Sequence, residues 1–163
     1  MSDRLPMHVL HPDRAAPALR PILLVEDNLR DAELLLEALD EPEITARLRH
    51  VRDGVEALAY LRGDQGTAGP PTPLPALIVL DLKMPRLNGL DLLAVLKRTP
   101  AWQVIPVVLM TSSVQAQDIS TAYTLGVNAY VRKPLDFGEF VETVRQLFAF
   151  WVGRNLMPEP HGP

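Results

Sequence analysis

From Pro21 onward, short runs that are apolar at nearly every position alternate with longer segments whose apolar residues recur every three or four positions. The runs ILLVED (22–27), ALIVLD (76–81), IPVVLMTS (105–112) and VNAYVRK (127–133) are aliphatic and β-branched, and each predicts a strand. ITARLRHV (44–51) alternates only in part and predicts a weaker strand near a sheet edge. The segments 28–41, 53–63, 88–98, 115–126 and 136–155 have helical spacing. In the first of them Ala32, Leu35, Leu36 and Leu39 share a face, and Gly126 stands where a C-cap is needed. DQGTAGPPTPLP (64–75) is a Pro/Gly loop that no regular element accommodates. Five strands alternating with five helices, with the strongest strands apolar throughout, imply a sheet covered on both faces. Right-handed crossovers then make it a doubly wound parallel α/β sheet, in which ligands bind beyond the carboxyl ends of the strands.

Those carboxyl ends carry the candidate chemistry. The first strand ends in Glu26 and Asp27, the third in Asp81, the fourth in Thr111 and Ser112, and the fifth in Lys133 and Pro134. Any one of these is adequately explained as a strand terminus or as a helix N-cap. Together they place three carboxylates, a hydroxyl and an ammonium on one edge. Clustered carboxylates repel one another unless a hard cation sits among them. Mg²⁺, which prefers oxygen ligands and keeps several waters, suits such a set, and Mn²⁺ is the alternative ion. With Lys133 and Thr111 beside it, the edge is prepared for a dianion, which points to phosphoryl transfer onto a carboxylate. Glu26 and Asp27 are adjacent and suited to metal. Asp81 stands alone, opening a loop in which the backbone amides of Lys83 and Met84 can face a phosphate. The Lys83 carbonyl can ligate the metal while its side chain points to solvent.

Composition narrows this only a little. The chain has 163 residues, enough for one domain with tails, and a net charge of −4 that argues against nucleic acid as the main partner. It has no cysteine, which excludes disulfides and thiolate chemistry and fits a cytoplasmic location. No apolar run approaches the roughly 20 residues of a membrane span. Four prolines interrupt residues 1–21, so residues 1–20 are expected to form a mobile arm, 21–152 the domain and 153–163 a tail.

LLVEDN, VRDGVEAL, LIVLDLKMPRLNGLDLL, IPVVLMTS and GVNAYVRKPLD together closely resemble the receiver domain of bacterial two-component response regulators, over about residues 20–150. The resemblance implies a flavodoxin-like sheet of order 2-1-3-4-5. It implies Glu26 and Asp27 as the acidic metal pair, Asp81 as phosphoacceptor, the Lys83 carbonyl as a metal ligand and Lys133 as the lysine on the phosphoryl group. It implies Thr111 and Tyr130 as the switch hydroxyl and aromatic, backbone contacts to the phosphoryl group near Met84 and Ser112, and a cis bond before Pro134. The implied donor is a histidine kinase, and the only chemistry catalysed is the protein's own Mg²⁺-dependent phosphorylation and dephosphorylation. No output domain pattern follows residue 151, so a stand-alone regulator with an unknown downstream protein is expected.

The long loop 64–75 and the aromatic end of the last helix resemble regulators associated with phytochrome-type light-sensing kinases. In that helix Phe137, Phe140, Val141, Val144, Leu147, Phe148 and Trp151 form one stripe, with Phe150 and Val152 off it. The off-stripe residues predict a homodimer through the last helix together with the fourth predicted helix (115–126) and fifth strand. A haloacid-dehalogenase-type phosphatase would need an acid two residues after the nucleophile, where Lys83 stands. A flavodoxin-like flavin carrier would need a glycine- and hydroxyl-rich first loop, where the acidic EDN stands. A phosphate sink or a dimeric scaffold receiver remains an alternative to a messenger. His8, His11, His50 and His161 fall outside the expected site or in the tails, so neither a phosphohistidine relay within the chain nor a histidine metal site is supported.

Overall fold

The computed structural model describes residues 19–64, 70 and 73–158. Most of the expected N-terminal arm, most of the Pro/Gly loop and the end of the tail lie outside the described residues.

The elements follow one another as β1 (Ile22–Val25), α1 (Leu29–Leu39), α2 (Pro42–Arg47), β2 (Leu48–Val51), α3 (Gly54–Arg62), β3 (Leu77–Leu80), α4 (Gly89–Arg98), β4 (Val107–Thr111), α5 (Ala116–Leu125), β5 (Ala129–Arg132) and α6 (Phe137–Trp151). All pairings are parallel, in the order β2-β1-β3-β4-β5. β1, β3 and β4 are buried at every position, whereas the edge strands β2 and β5 are only partly covered. Successive residues of the central strands point to opposite faces, so each strand feeds two cores. Leu23, Val25, Ile78, Leu80 and Leu109 pack with α3 and α4, and Ile22, Leu24, Val79, Val108 and Met110 pack with α1 and α6.

Side-chain caps set the helix starts. The Asn28 side chain accepts from the Arg30 and Asp31 amides, Asp53 from Val55 and Glu56, Asn88 from Asp91, and Asp136 from Glu139. α5 ends on Gly126 in the left-handed region, the C-cap its sequence predicts.

One predicted element changes character. Residues 44–51 do not form a single strand: Ile44 to Arg47 complete α2, and only Leu48–Val51 pair with β1. β1 has four residues to offer, so a longer partner would have nothing to bond. Pro42 occupies the first turn of α2, where its missing N–H costs nothing, and the Thr45 hydroxyl donates to the Glu41 and Pro42 carbonyls. Among the described residues there are six helices rather than five, the additional one short, and the sheet order is as expected.

Candidate functional site

Register builds the site. Val25 of β1 lies beside Leu80 of β3, so Glu26 and Asp81 leave the sheet as neighbours, and the Asp81 amide donates to the Val25 carbonyl at 3.0 Å. Thr111 of β4 lies beside Arg132 of β5, and the Lys133 amide donates to the Thr111 carbonyl at 2.8 Å. Thus the four strands deliver their terminal residues to one edge.

Glu26 is buried, Asp81 half-buried and Asp27 exposed, and each offers a carboxylate oxygen within 4.8 Å of the other two. Lys133 reaches into this group from β5. Its Nζ stands 2.6 Å from Glu26 Oε2, 3.0 Å from Asp31 Oδ2 and 3.5 Å from Asp81 Oδ2. One ammonium therefore faces three carboxylates, with Asp27 a fourth nearby, and the edge stays negative. Burial pushes the Glu26 carboxyl up to about 7, reinforced by the charge of Asp81 and opposed by Lys133. Burial also works against the Lys133 ammonium, but its hydrogen bond to Glu26 and the Asp81 charge outweigh it and hold its pKa above the ordinary lysine range. The convergent donors are all carboxylate oxygens, and they fit a hard divalent cation.

The loop after β3 borders a cleft of about 540 Å³ lined by Asp27, Leu82, Lys83, Met84, Pro85 and Asn88 among others. The Leu82 amide donates to Asp81 Oδ1 at 2.7 Å and fixes the carboxylate plane. Lys83 is exposed, and Met84 rests partly buried on the α3/α4 core. Closing the loop requires Gly89: a Cβ there would sit 2.3 Å from the Asp81 carbonyl oxygen, and its amide donates to the Leu82 carbonyl at 2.9 Å.

Thr111 is fully buried at the end of β4, and its hydroxyl accepts from the Ser113 amide at 3.3 Å. Ser112 is exposed just beyond it. Tyr130 is half-buried against the α3/α4 core, and its hydroxyl donates to the Ser113 carbonyl at 2.9 Å. The Ser113 hydroxyl in turn donates to Asp118 of α5 at 2.7 Å. The structure therefore gathers Glu26, Asp27, Asp81 and Lys133 directly. It joins Thr111 to them through the backbone of Lys133, and links Tyr130 to the segment that follows Thr111.

Two participants lie outside what sequence reasoning selected. Asp31 binds Lys133 from the first turn of α1, where its position three residues after the Asn28 cap is the only signal. His50, which the sequence places outside the site, holds its Nε2 at 2.7 Å from the Glu26 carbonyl oxygen.

The response regulator receiver domain family matches residues 22–145. The probable methanogenesis regulatory protein FilR2 of Methanothrix harundinacea is 39% identical over 139 residues, 85% of this chain and 88% of that protein. Response regulator Rcp1 of Synechocystis is 36% identical over 137 residues, covering 84% of this chain and 92% of Rcp1. The Mn²⁺-bound structure of Rcp1 gives a TM-score of 0.75 at 35% identity, over 86% of this chain and 99% of that one. The phosphorylated cyanobacterial phytochrome response regulator RcpA gives 0.79 at 37% identity, over 87% of this chain and 100% of that one. Among the described residues, no helix is long and apolar enough to cross a membrane.

Proposed function

The chain belongs to the response regulator receiver domain family, the phosphoacceptors of two-component signalling, and on that premise we propose that Asp81 accepts a phosphoryl group from the phosphohistidine of a sensor kinase. The observation that carries this reading is the convergence of Lys133 on Glu26, Asp31 and Asp81 at 2.6, 3.0 and 3.5 Å, beside three carboxylates within 4.8 Å of one another.

A carboxylate oxygen of Asp81 is the nucleophile. The new bond joins an Asp81 oxygen to phosphorus, the phosphorus–nitrogen bond to the donor imidazole breaks, and the electron pair leaves on that nitrogen. The Leu82 amide orients the carboxylate, and Lys133, 3.5 Å from Asp81 Oδ2, supplies a positive charge where the phosphoryl oxygens arrive. The amides near Met84 and Ser112 are the proposed backbone donors to those oxygens. A divalent cation, Mg²⁺ by preference with Mn²⁺ as substitute, would be held by Glu26, Asp27, Asp81 and the Lys83 carbonyl and would offset charge on the transferred group. Hydrolysis of the acyl phosphate at the same site returns the protein to its starting state.

The switch is carried by Thr111 and Tyr130. A phosphoryl group on Asp81 draws the Thr111 hydroxyl toward it and favours the inward Tyr130, whose hydroxyl holds the Ser113 carbonyl. The face of α5, β5 and α6 then presents a changed surface to a downstream protein. Similarity to the cyanobacterial phytochrome response regulator RcpA supports a phytochrome-type kinase as donor. Exposed Phe137 and Phe150 on α6 support self-association through this face.

The expected result with a small-molecule donor such as phosphoramidate is one phosphate per chain, lost in Asp81→Asn and on chelation of divalent ions. Phosphate on the Asp81→Asn protein, mapped by mass spectrometry, would overturn the assignment.

A further inference from the structure

The loop that follows Asp81 is anchored at its ends by Asp81 and Gly89, and a second anchor holds its middle. Arg86 has φ 65°, in the left-handed region that L side chains rarely adopt, and it is one of two such non-glycine residues among those described. Its guanidinium binds Asp53 through both Nε, 2.6 Å from Oδ2, and a terminal nitrogen on the same oxygen. The other oxygen of Asp53 is already committed: Oδ1 accepts from the Val55 and Glu56 amides at 2.8 and 3.0 Å and caps α3. Asp53 is only 3% exposed, so this carboxylate is saturated within the protein rather than by water. Next to it Gly54 donates its amide to the Leu87 carbonyl at 3.4 Å. A Cβ at Gly54 would come within 2.9 Å of the Leu87 side chain, so the loop lies flat against the start of α3. Asp53, Arg86 and Pro85 line a cleft of about 500 Å³ that also includes Asp27.

We propose that the Asp53–Arg86 pair is a clamp that positions the loop Leu82–Asn88 for phosphoryl transfer, making both side chains positioning residues for the reaction at Asp81. The inference rests on the phosphoacceptor reading above. Its physical content is that Lys83 and Met84 owe their backbone placement to two fixed points on either side, the Asp81–Leu82 hydrogen bond and the Arg86–Asp53 ion pair. A loop held only at its ends would sample orientations in which the carbonyl and amides no longer converge, and misplacement of about an ångström can cost on the order of a hundredfold in rate.

Substitutions separate this role from simple backbone preference. Arg86→Gly keeps the left-handed turn without strain but removes the guanidinium. Asp53→Asn keeps the α3 cap, since asparagine caps as well as aspartate, but removes the nearer of the two carboxylate charges facing Arg86, the other being Glu56 at 3.8 Å. Full-length Arg86→Gly, Asp53→Asn and the double variant are compared for phosphoramidate-driven phosphorylation in Mg²⁺. Each is expected to lose about tenfold in maximal rate with little change in donor KM, the double losing no more than either single, and Arg86→Lys recovering part of the loss. Wild-type rates in Arg86→Gly, or losses that multiply in the double variant, would overturn the clamp. Should Asp53→Asn fail to fold, the Arg86→Gly and Arg86→Lys comparison decides alone. Asp81→Asn run alongside tests the underlying reading separately, because phosphate on that variant removes the premise whatever the clamp variants do.

Discussion

Glu26 is 4% exposed and carries its carboxylate on the buried side of the site. Because burial lifts it from 4.5 to about 7, between those values the metal-free protein holds a proton there that the unfolded chain does not. The sign follows: this group's contribution to stability is fully present below about 4.5 and is lost as pH rises through about 7. Lys133 stays charged throughout that range, so a cation bound at the proposed site would compete with a proton for Glu26. Apparent affinity for Mg²⁺ is therefore expected to rise with pH up to about 7 and then level off. Calorimetry in buffers of different ionisation enthalpy should detect a proton released on binding below pH 7 and none near pH 8.5; no release at pH 6 would refute the coupling. At this scale the sequence was legible where a strand announced the residue. Glu26, Asp27, Asp81, Thr111 and Lys133 all follow apolar runs, and parallel register leaves them nowhere else to go. Asp31 looks like an ordinary first-turn acid, and Asp53 and Arg86 sit on loops 33 residues apart, where no periodicity connects them.

Elements show a different boundary between what pattern predicts and what packing decides. The apolar stripe of α6 is real, but the fold consumes most of it: Phe140, Val144, Leu147 and Phe148 are buried, and Val141, Trp151 and Val152 pack partly against the same core. What remains outward is Phe137 at 54% and Phe150 at 53% exposure, a small basis for the proposed self-association. Two substitutions two residues apart on the helix separate these uses. Phe148→Ala opens a cavity between α1 and α6 and is expected to cost about 3–5 kcal/mol, seen as a lower urea midpoint. Phe150→Ala should leave that midpoint within about 0.5 kcal/mol while weakening any dimer measured by sedimentation. Equal destabilisation by both would mean that Phe150 is part of the core; unchanged sedimentation of an associating wild type would remove α6 from the interface. The short α2 illustrates the converse. Its sequence alternates well enough for a strand, but β1 has only four residues to pair, and a neighbour's length is not visible in a local pattern.

For the whole molecule, the question is which part can move when Asp81 is modified. The central strands cannot move readily: β1, β3 and β4 are buried at every position and carry helices on both faces. α4 buries Gly89, Leu92, Leu93 and Leu96, whereas α5, equally long, fully buries only Ala122. A helix with so little apolar anchorage lies at the low end of local stability. A polar path ties it to the site, from Thr111 through Ser113 to both Tyr130 and Asp118. Phosphorylation is therefore expected to change amide exchange chiefly over Ser113–Leu125 and to leave the protected amides of β3 and β4 alone. Thr111→Ala should still take up phosphate at Asp81, because the carboxylate, Lys133 and the acidic pair remain. In that variant the exchange change in α5 should largely disappear, since the proposed path starts at the hydroxyl that is gone. Retention of the full α5 response in phosphorylated Thr111→Ala would show that the signal leaves by another route, and a response spread evenly over the sheet would contradict the division between a rigid frame and one loosely held helix.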